Sequence, residues 1–294
     1  MQYEALLLCT IFLLSACGDA RDTGSGSMTG KKSTIEIQLQ EDINTLLTAS
    51  PVKFSEECMS QVNMCWYKID KSFGDADLPS VKVNGALILD DVASVSIAID
   101  KDVGKNIGSL DLSVRSLPDG SKHEEYQAFL YGLLEKIKSA GWTHYYAPSD
   151  PRISGSQIDK ISSPGKVLGD YVLSHPWLDP DYRLDLDRWL KVDDFYDWNF
   201  YNNGNYLTLR AQRHDSDDAP NERGTYLVTL NFTTEREYWA PAFSESKDKA
   251  RWKELLPGLL KNYKAIRDAR EKKAIDAGIE IDSDYQDPPI KALK

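Results

Sequence analysis

The chain is poor in the residues that most catalytic chemistry needs. Four cysteines and four histidines are spread over 294 residues. No Cys-x-x-Cys pair occurs, which leaves zinc-ribbon and thioredoxin-like chemistry without a motif. No Gly-x-Ser-x-Gly elbow is present, so an α/β-hydrolase nucleophile has no seat. A Walker loop is missing, as is a Gly-x-Gly-x-x-Gly run after a strand, and with them the usual phosphate and dinucleotide cradles. His123-Glu124-Glu125-Tyr126-Gln127 begins like a zincin helix, but Gln127 stands where the second histidine must be. The segment from Asp100 puts Gly104 at a ligand position and Lys105 where an EF-hand loop needs glycine, so it reads as a turn. His123, His144, His175 and His214 lie in separate segments and suggest no ligand set. No metal and no cofactor is therefore expected, and His123 is expected exposed in the first turn of a helix.

Positive charge is also short. Asp and Glu number 46 against 35 Lys and Arg, a net charge of −11. An acidic surface argues against nucleic acid and anionic headgroups as partners, and it is compatible with a basic protein. Apolar and aromatic content are those of a globular protein.

The periodicities predict an α+β fold. Strands are expected at Ala86–Leu89, Val95–Ile99 and Leu110–Val114. A helix follows, capped by Ser121 and Glu124, with an apolar stripe of Tyr126, Phe129, Leu130, Leu133, Leu134 and Ile137. Gly141 ends it, and 142–146 reads as another strand. The order then repeats. Strands 206–210 and 226–232 form a hairpin with a polar loop from Gln212 to Arg223. A second helix carries Trp252, Leu255, Leu256, Leu259, Leu260, Tyr263 and Ile266, with Pro257 expected to kink or split it. The tail from Ile279 is expected extended. The repeat suggests two units of antiparallel sheet plus helix, 33–150 and 151–294, a plan that an internal duplication would produce. Between their regular elements lies a Pro-, Gly- and Asp-rich stretch, 150–194, with a short helical piece at 186–190.

Two regions could carry function. Asp179, Asp181, Asp185, Asp187, Asp193, Asp194 and Asp197 stand among Trp177, Tyr182, Trp189, Phe195, Tyr196, Trp198, Phe200, Tyr201 and Tyr206. Carboxylates beside aromatic platforms suit a sugar, whereas the plainer reading makes the aromatics core and the aspartates caps. The second region is the hairpin tip, His214-Asp215-Ser216-Asp217-Asp218. A projecting acidic loop can enter a basic cleft on a partner.

Two resemblances give these features an address. Leu14-Ser15-Ala16-Cys17 after the apolar stretch 6–13 resembles a bacterial lipoprotein signal with its lipobox. The first four residues depart from that pattern in having no Lys or Arg, and an apolar N-terminal helix is the alternative. The resemblance implies a signal peptide over 1–16, lipid attachment at Cys17, a flexible tether over 17–32 and a periplasmic domain anchored in the membrane. Gly18 after the cysteine implies the outer membrane. In that oxidising compartment Cys58 and Cys65 are expected to form a disulfide. Segments 141–155 (Gly-Trp-Thr-His-Tyr-Tyr-Ala-Pro-Ser-Asp-Pro-Arg-Ile-Ser-Gly) and 197–209, with the lipobox, resemble lipoprotein immunity proteins of type VI secretion phospholipase effectors. The resemblance implies a non-enzymatic inhibitor whose partner is the cognate lipase. Its contact surface is expected at Asp215, Asp217 and Asp218 with exposed aromatics at Trp198 and Tyr201. The rival expectation is an envelope hydrolase or glycan-binding lipoprotein.

Overall fold

The structure is a computed structural model and describes residues 32–294. The expected signal peptide, the lipid-bearing Cys17 and the tether up to residue 31 lie outside these residues.

Chain order runs β1 (Thr34–Ile37), α1 (Ile43–Ala49), β2 (Ser55–Met59), β3 (Met64–Asp70), β4 (Ser80–Val83), β5 (Leu87–Leu89), β6 (Val92–Asp100), β7 (Ser109–Val114), β8 (Ser121–Lys122) and α2 (His123–Ser139). It continues with β9 (Thr143–His144), α3 (Leu186–Trp189), β10 (Phe195–Asn202), β11 (Asn205–Asp215), β12 (Arg223–Thr234), α4 (Glu235–Trp239), α5 (Ser246–Ala250) and α6 (Trp252–Asp276). The class is α+β. One antiparallel nine-stranded sheet has the order β2-β3-β6-β7-β12-β11-β10-β9, with β8 paired to β12. A small second sheet, β1-β4-β5, contains a parallel pair, β1 with β4.

Strand β7 pairs with β12 over six residues, Leu112 facing Leu230 and Leu110 facing Phe232. The expected boundary at residue 150 thus falls inside one sheet, and residues 32–294 form one compact unit. The two strand-helix runs are not two cores. Alternation explains the layering. Val95, Ile97, Leu112, Trp198, Leu209 and Leu230 point to one face, which α2 covers with Tyr126, Leu130, Leu134 and Ile137 in the main core. The segment between β9 and β10 packs into that core through Ile153, Trp177 and Trp189. The opposite face is polar along its middle and covered at one end by α4 and α6. There Tyr201, Tyr206, Trp239, Trp252 and Leu256 form a second cluster.

Several boundaries differ from the expectation for local reasons. The cap of α2 sits one residue later than expected, with the Lys122 N–H donating to the Glu125 carboxylate at 2.9 Å. The expected strand at 142–146 shrinks to β9, where Thr143 and His144 pair with β10; the Tyr145 N–H still donates to the Asn199 carbonyl at 2.9 Å, and the chain then turns away. Pro257 lies inside an unbroken α6. The chain breaks earlier, between α5 and α6 at Arg251. Ile266 is exposed, and the last turns of α6 dock instead through Arg267, Glu271 and Ala274. Beyond Ile279 the tail has no regular element except a short turn at Lys291–Leu293. Among the described residues no helix is long and apolar enough to cross a membrane. Cys58 and Cys65, directly opposite on β2 and β3, form the expected disulfide.

Candidate functional site

The hairpin β11–β12 is longer than the sequence suggests. Its strands stay paired to Asp215 facing Gly224, so the free tip is only residues 216–222. Backbone bonds close it, Ser216 N–H to Arg223 at 2.9 Å and Glu222 N–H to Ala219 at 3.0 Å. Asp217 and Asp218 are exposed at this tip.

Asp215 is not part of the free tip. Alternation from Leu207, Leu209 and Ala211 turns Arg213 and Asp215 toward the α2 side of the sheet. The Asp215 carboxylate pairs there with Arg213 Nε at 2.9 Å and lies 3.6 Å from His123 Nε2. His123 is fully buried, contrary to the expected exposed position. One ring nitrogen lies 3.0 Å from the Tyr226 hydroxyl and the other 2.9 Å from the Pro220 carbonyl. Gly224 makes room, since a Cβ there would meet the His123 ring at 2.7 Å. The buried imidazole therefore ties the tip to the root of α2. Trp189 donates to the same Tyr226 hydroxyl at 3.0 Å, and Arg213 to Tyr196 at 2.6 Å. Burial pushes the Tyr196 hydroxyl well above the usual tyrosine range and raises that of Tyr226.

The aromatics expected beside the tip are elsewhere. Trp198 is 2% exposed, because alternation on β10 sends it inward with Tyr196 and Phe200. Tyr201 is on the outer parity, but α4 and α6 cover it, and it is 8% exposed. Neither offers a contact surface to a partner. The outward aromatic is Phe195. It stands opposite Gln212, which stands opposite Leu227. Phe195 and Leu227 are both about half exposed on the open sheet face, and the Arg210 guanidinium lies 5.3 Å from the Phe195 ring. Period-two alternation in 195–200 is the sequence signal that separates Phe195 from Trp198.

The aspartates disperse. Asp185 caps α3 by accepting from Arg188 N–H at 2.8 Å. Asp197 holds Arg210 through two bonds of 2.7 Å. Asp193 and Asp194 are exposed where the chain enters β10. Asp179 is buried, accepting from Gly155 N–H at 2.6 Å and Asp181 N–H at 2.8 Å. His144 Nδ1 stands 3.6 Å from Asp179 and 4.0 Å from Asp181. Burial lowers the pKa of this imidazole, outweighing the opposite pull of the two carboxylates. Of the four histidines it alone faces two carboxylates. His175 is buried and capped onto the Trp177 N–H, with its pKa lowered by burial to about 4. His214 is exposed on the open face.

A cavity of about 540 Å³ lies against the second cluster, between Tyr145, Tyr206 and Trp239 on one side and the tail residues Pro288, Pro289 and Ile290 on the other. Much of its charged rim is committed internally: Arg267 pairs with Asp287, Arg152 with Glu271 and Lys264 with Asp268. No known protein family, curated protein or solved structure matches this chain.

Proposed function

We propose that this chain is a lipid-anchored periplasmic protein that captures and neutralises a secreted antibacterial enzyme, without catalysis of its own. The family resembled in segments 141–155 and 197–209 makes that enzyme a type VI phospholipase effector. One observation carries the reading: an acidic tip, Asp217 and Asp218, is tied to the root of α2 through the Pro220 carbonyl, and the open face of the same hairpin leads to an exposed Phe195–Gln212–Leu227 row. A pre-ordered loop loses little conformational entropy on binding, and its charge steers a basic partner toward the apolar row. Apolar anchors within a polar surround are how protein interfaces concentrate their energy. The outer-membrane anchor at Cys17 belongs to the same proposal, because such an inhibitor must meet its toxin in the periplasm.

The carboxylates favour this reading over the glycan hydrolase. Asp179, Asp185 and Asp197 are each occupied by backbone amides or an arginine, and none faces a second free carboxylate across a cleft as glycoside hydrolysis requires. The test is titration of the purified protein into its cognate phospholipase effector. The expected result is loss of lipase activity at one equivalent. Full activity with the protein in excess would end the proposal.

A further inference from the structure

We propose that His144 Nδ1, Asp179 Oδ1 and Asp181 Oδ2 form a binding site for one divalent transition-metal ion, zinc suiting them best. The site stands apart from the hairpin. His144 pairs with Phe200, at the end of β10 away from the tip.

The distances carry the argument. At 3.6 and 4.0 Å the imidazole nitrogen is too far from either carboxylate for a hydrogen bond. Two ligands of a tetrahedral zinc ion, each bound at about 2.0–2.2 Å, stand about 3.3–3.6 Å apart. The three atoms lie within 4.8 Å of one another, and a small contraction brings them onto one ion.

The surroundings hold the ligands in place. Both Asp179 oxygens accept backbone amides, from Gly155 and Asp181, which fixes the carboxylate plane. Ligating carboxylates are commonly oriented by such outer hydrogen bonds. Gly155 is required for that approach, because a Cβ there would lie 2.3 Å from Tyr182 and 3.0 Å from Asp179. Asp181 gives one oxygen to Lys138 Nζ at 3.1 Å and keeps the other toward His144. Two carboxylates against one ammonium leave net negative charge for a cation. The imidazole selects a borderline transition ion over calcium or magnesium, which prefer all-oxygen sites. Side-chain exposure grades from 4% at Asp179 through 14% at His144 to 57% at Asp181. The ion enters past Asp181, and its remaining coordination faces solvent.

The test is calorimetric titration of zinc into chelator-treated protein, with cobalt(II) substitution read by visible absorption. One equivalent should bind, and cobalt should give the intense bands of a tetrahedral site. Asp181→Asn and His144→Gln should each weaken the first equivalent at least about tenfold, while His214→Gln leaves it unchanged. Asp181 is surface-exposed, so its variant tests the site even if His144→Gln fails to fold. Absence of a stoichiometric equivalent, or equal affinity in Asp181→Asn and the parent, would overturn the site.

Discussion

Two buried histidines do different work in this molecule. His123 is a strut, bonded on one side to Tyr226 and on the other to the hairpin tip at Pro220. Its replacement by Ala leaves a cavity and takes one partner from the Tyr226 hydroxyl and one from the Pro220 carbonyl. His123→Ala should cost about 3 kcal/mol in chemical denaturation. The amides of Ser216, Glu222 and Arg223 should exchange faster in the same variant. His175 is a pH-sensitive residue by virtue of burial, which lowers its pKa to about 4. An unfolded histidine titrates near 6.5. The folded form therefore resists protonation that the unfolded chain accepts. The stability this neutral ring contributes is full above pH 6.5 and is lost as pH falls toward 4. Two and a half units correspond to about 3 kcal/mol. His175→Asn, whose side-chain oxygen reaches the same Trp177 amide, should flatten the pH dependence of the unfolding midpoint between 4 and 6.5. An unchanged slope would remove His175 as its source. Neither burial is legible in the sequence. His123 opens an amphipathic helix next to Glu124, where an exposed residue is the ordinary expectation, and only the cross-sheet approach of Gly224 buries it.

At the scale of elements, periodicity located half of the twelve strands and both long helices, because a half-buried element must alternate or stripe whatever its neighbours are. Thus β6, β7, β12 and the α2 stripe lie where the pattern put them. Ends were less legible. The hairpin strands run on to Asp215 and Arg223 because β8 pairs with Arg223 and Gly224, a contact between residues about a hundred positions apart. Helix α6 shows tertiary context overriding a local rule. Pro257 removes the donor for the Lys253 carbonyl, yet Trp252 and Leu256 are buried against Trp239 and hold the first turns in place. Pro257→Ala should restore that bond at an exposed position and raise stability by about 2 kcal/mol, read as a higher melting temperature. A lower melting temperature would mean that the proline's fixed φ sets the junction between α5 and α6.

At the scale of the whole molecule, the charge balance and the acidic tip were readable from composition and loop sequence, and the face a partner would meet was not. Trp198 and Phe195 sit three residues apart in one aromatic run. Alternation along β10 puts them on opposite faces, and only the packing of α2 shows which face is core. The same alternation on β11 turns Asp215 inward, while Asp217 and Asp218 lie beyond the paired strands and are exposed. The His144–Asp179–Asp181 grouping was hidden for a related reason. The Asp-Pro-Asp spacing is visible, but His144 lies 35 positions before Asp179 and meets it only because the segment after β9 folds back against β10, the strand that β9 pairs with. Capture, on this proposal, depends on the acidic tip steering a basic enzyme onto the Phe195–Leu227 row. The most direct measurement is the association rate with the lipase at several salt concentrations, for the parent and for Asp217→Ser/Asp218→Ser. Association should be on the order of tenfold slower in the variant at low salt, with a weaker salt dependence. Equal rates and equal salt dependence in the two proteins would contradict the proposal.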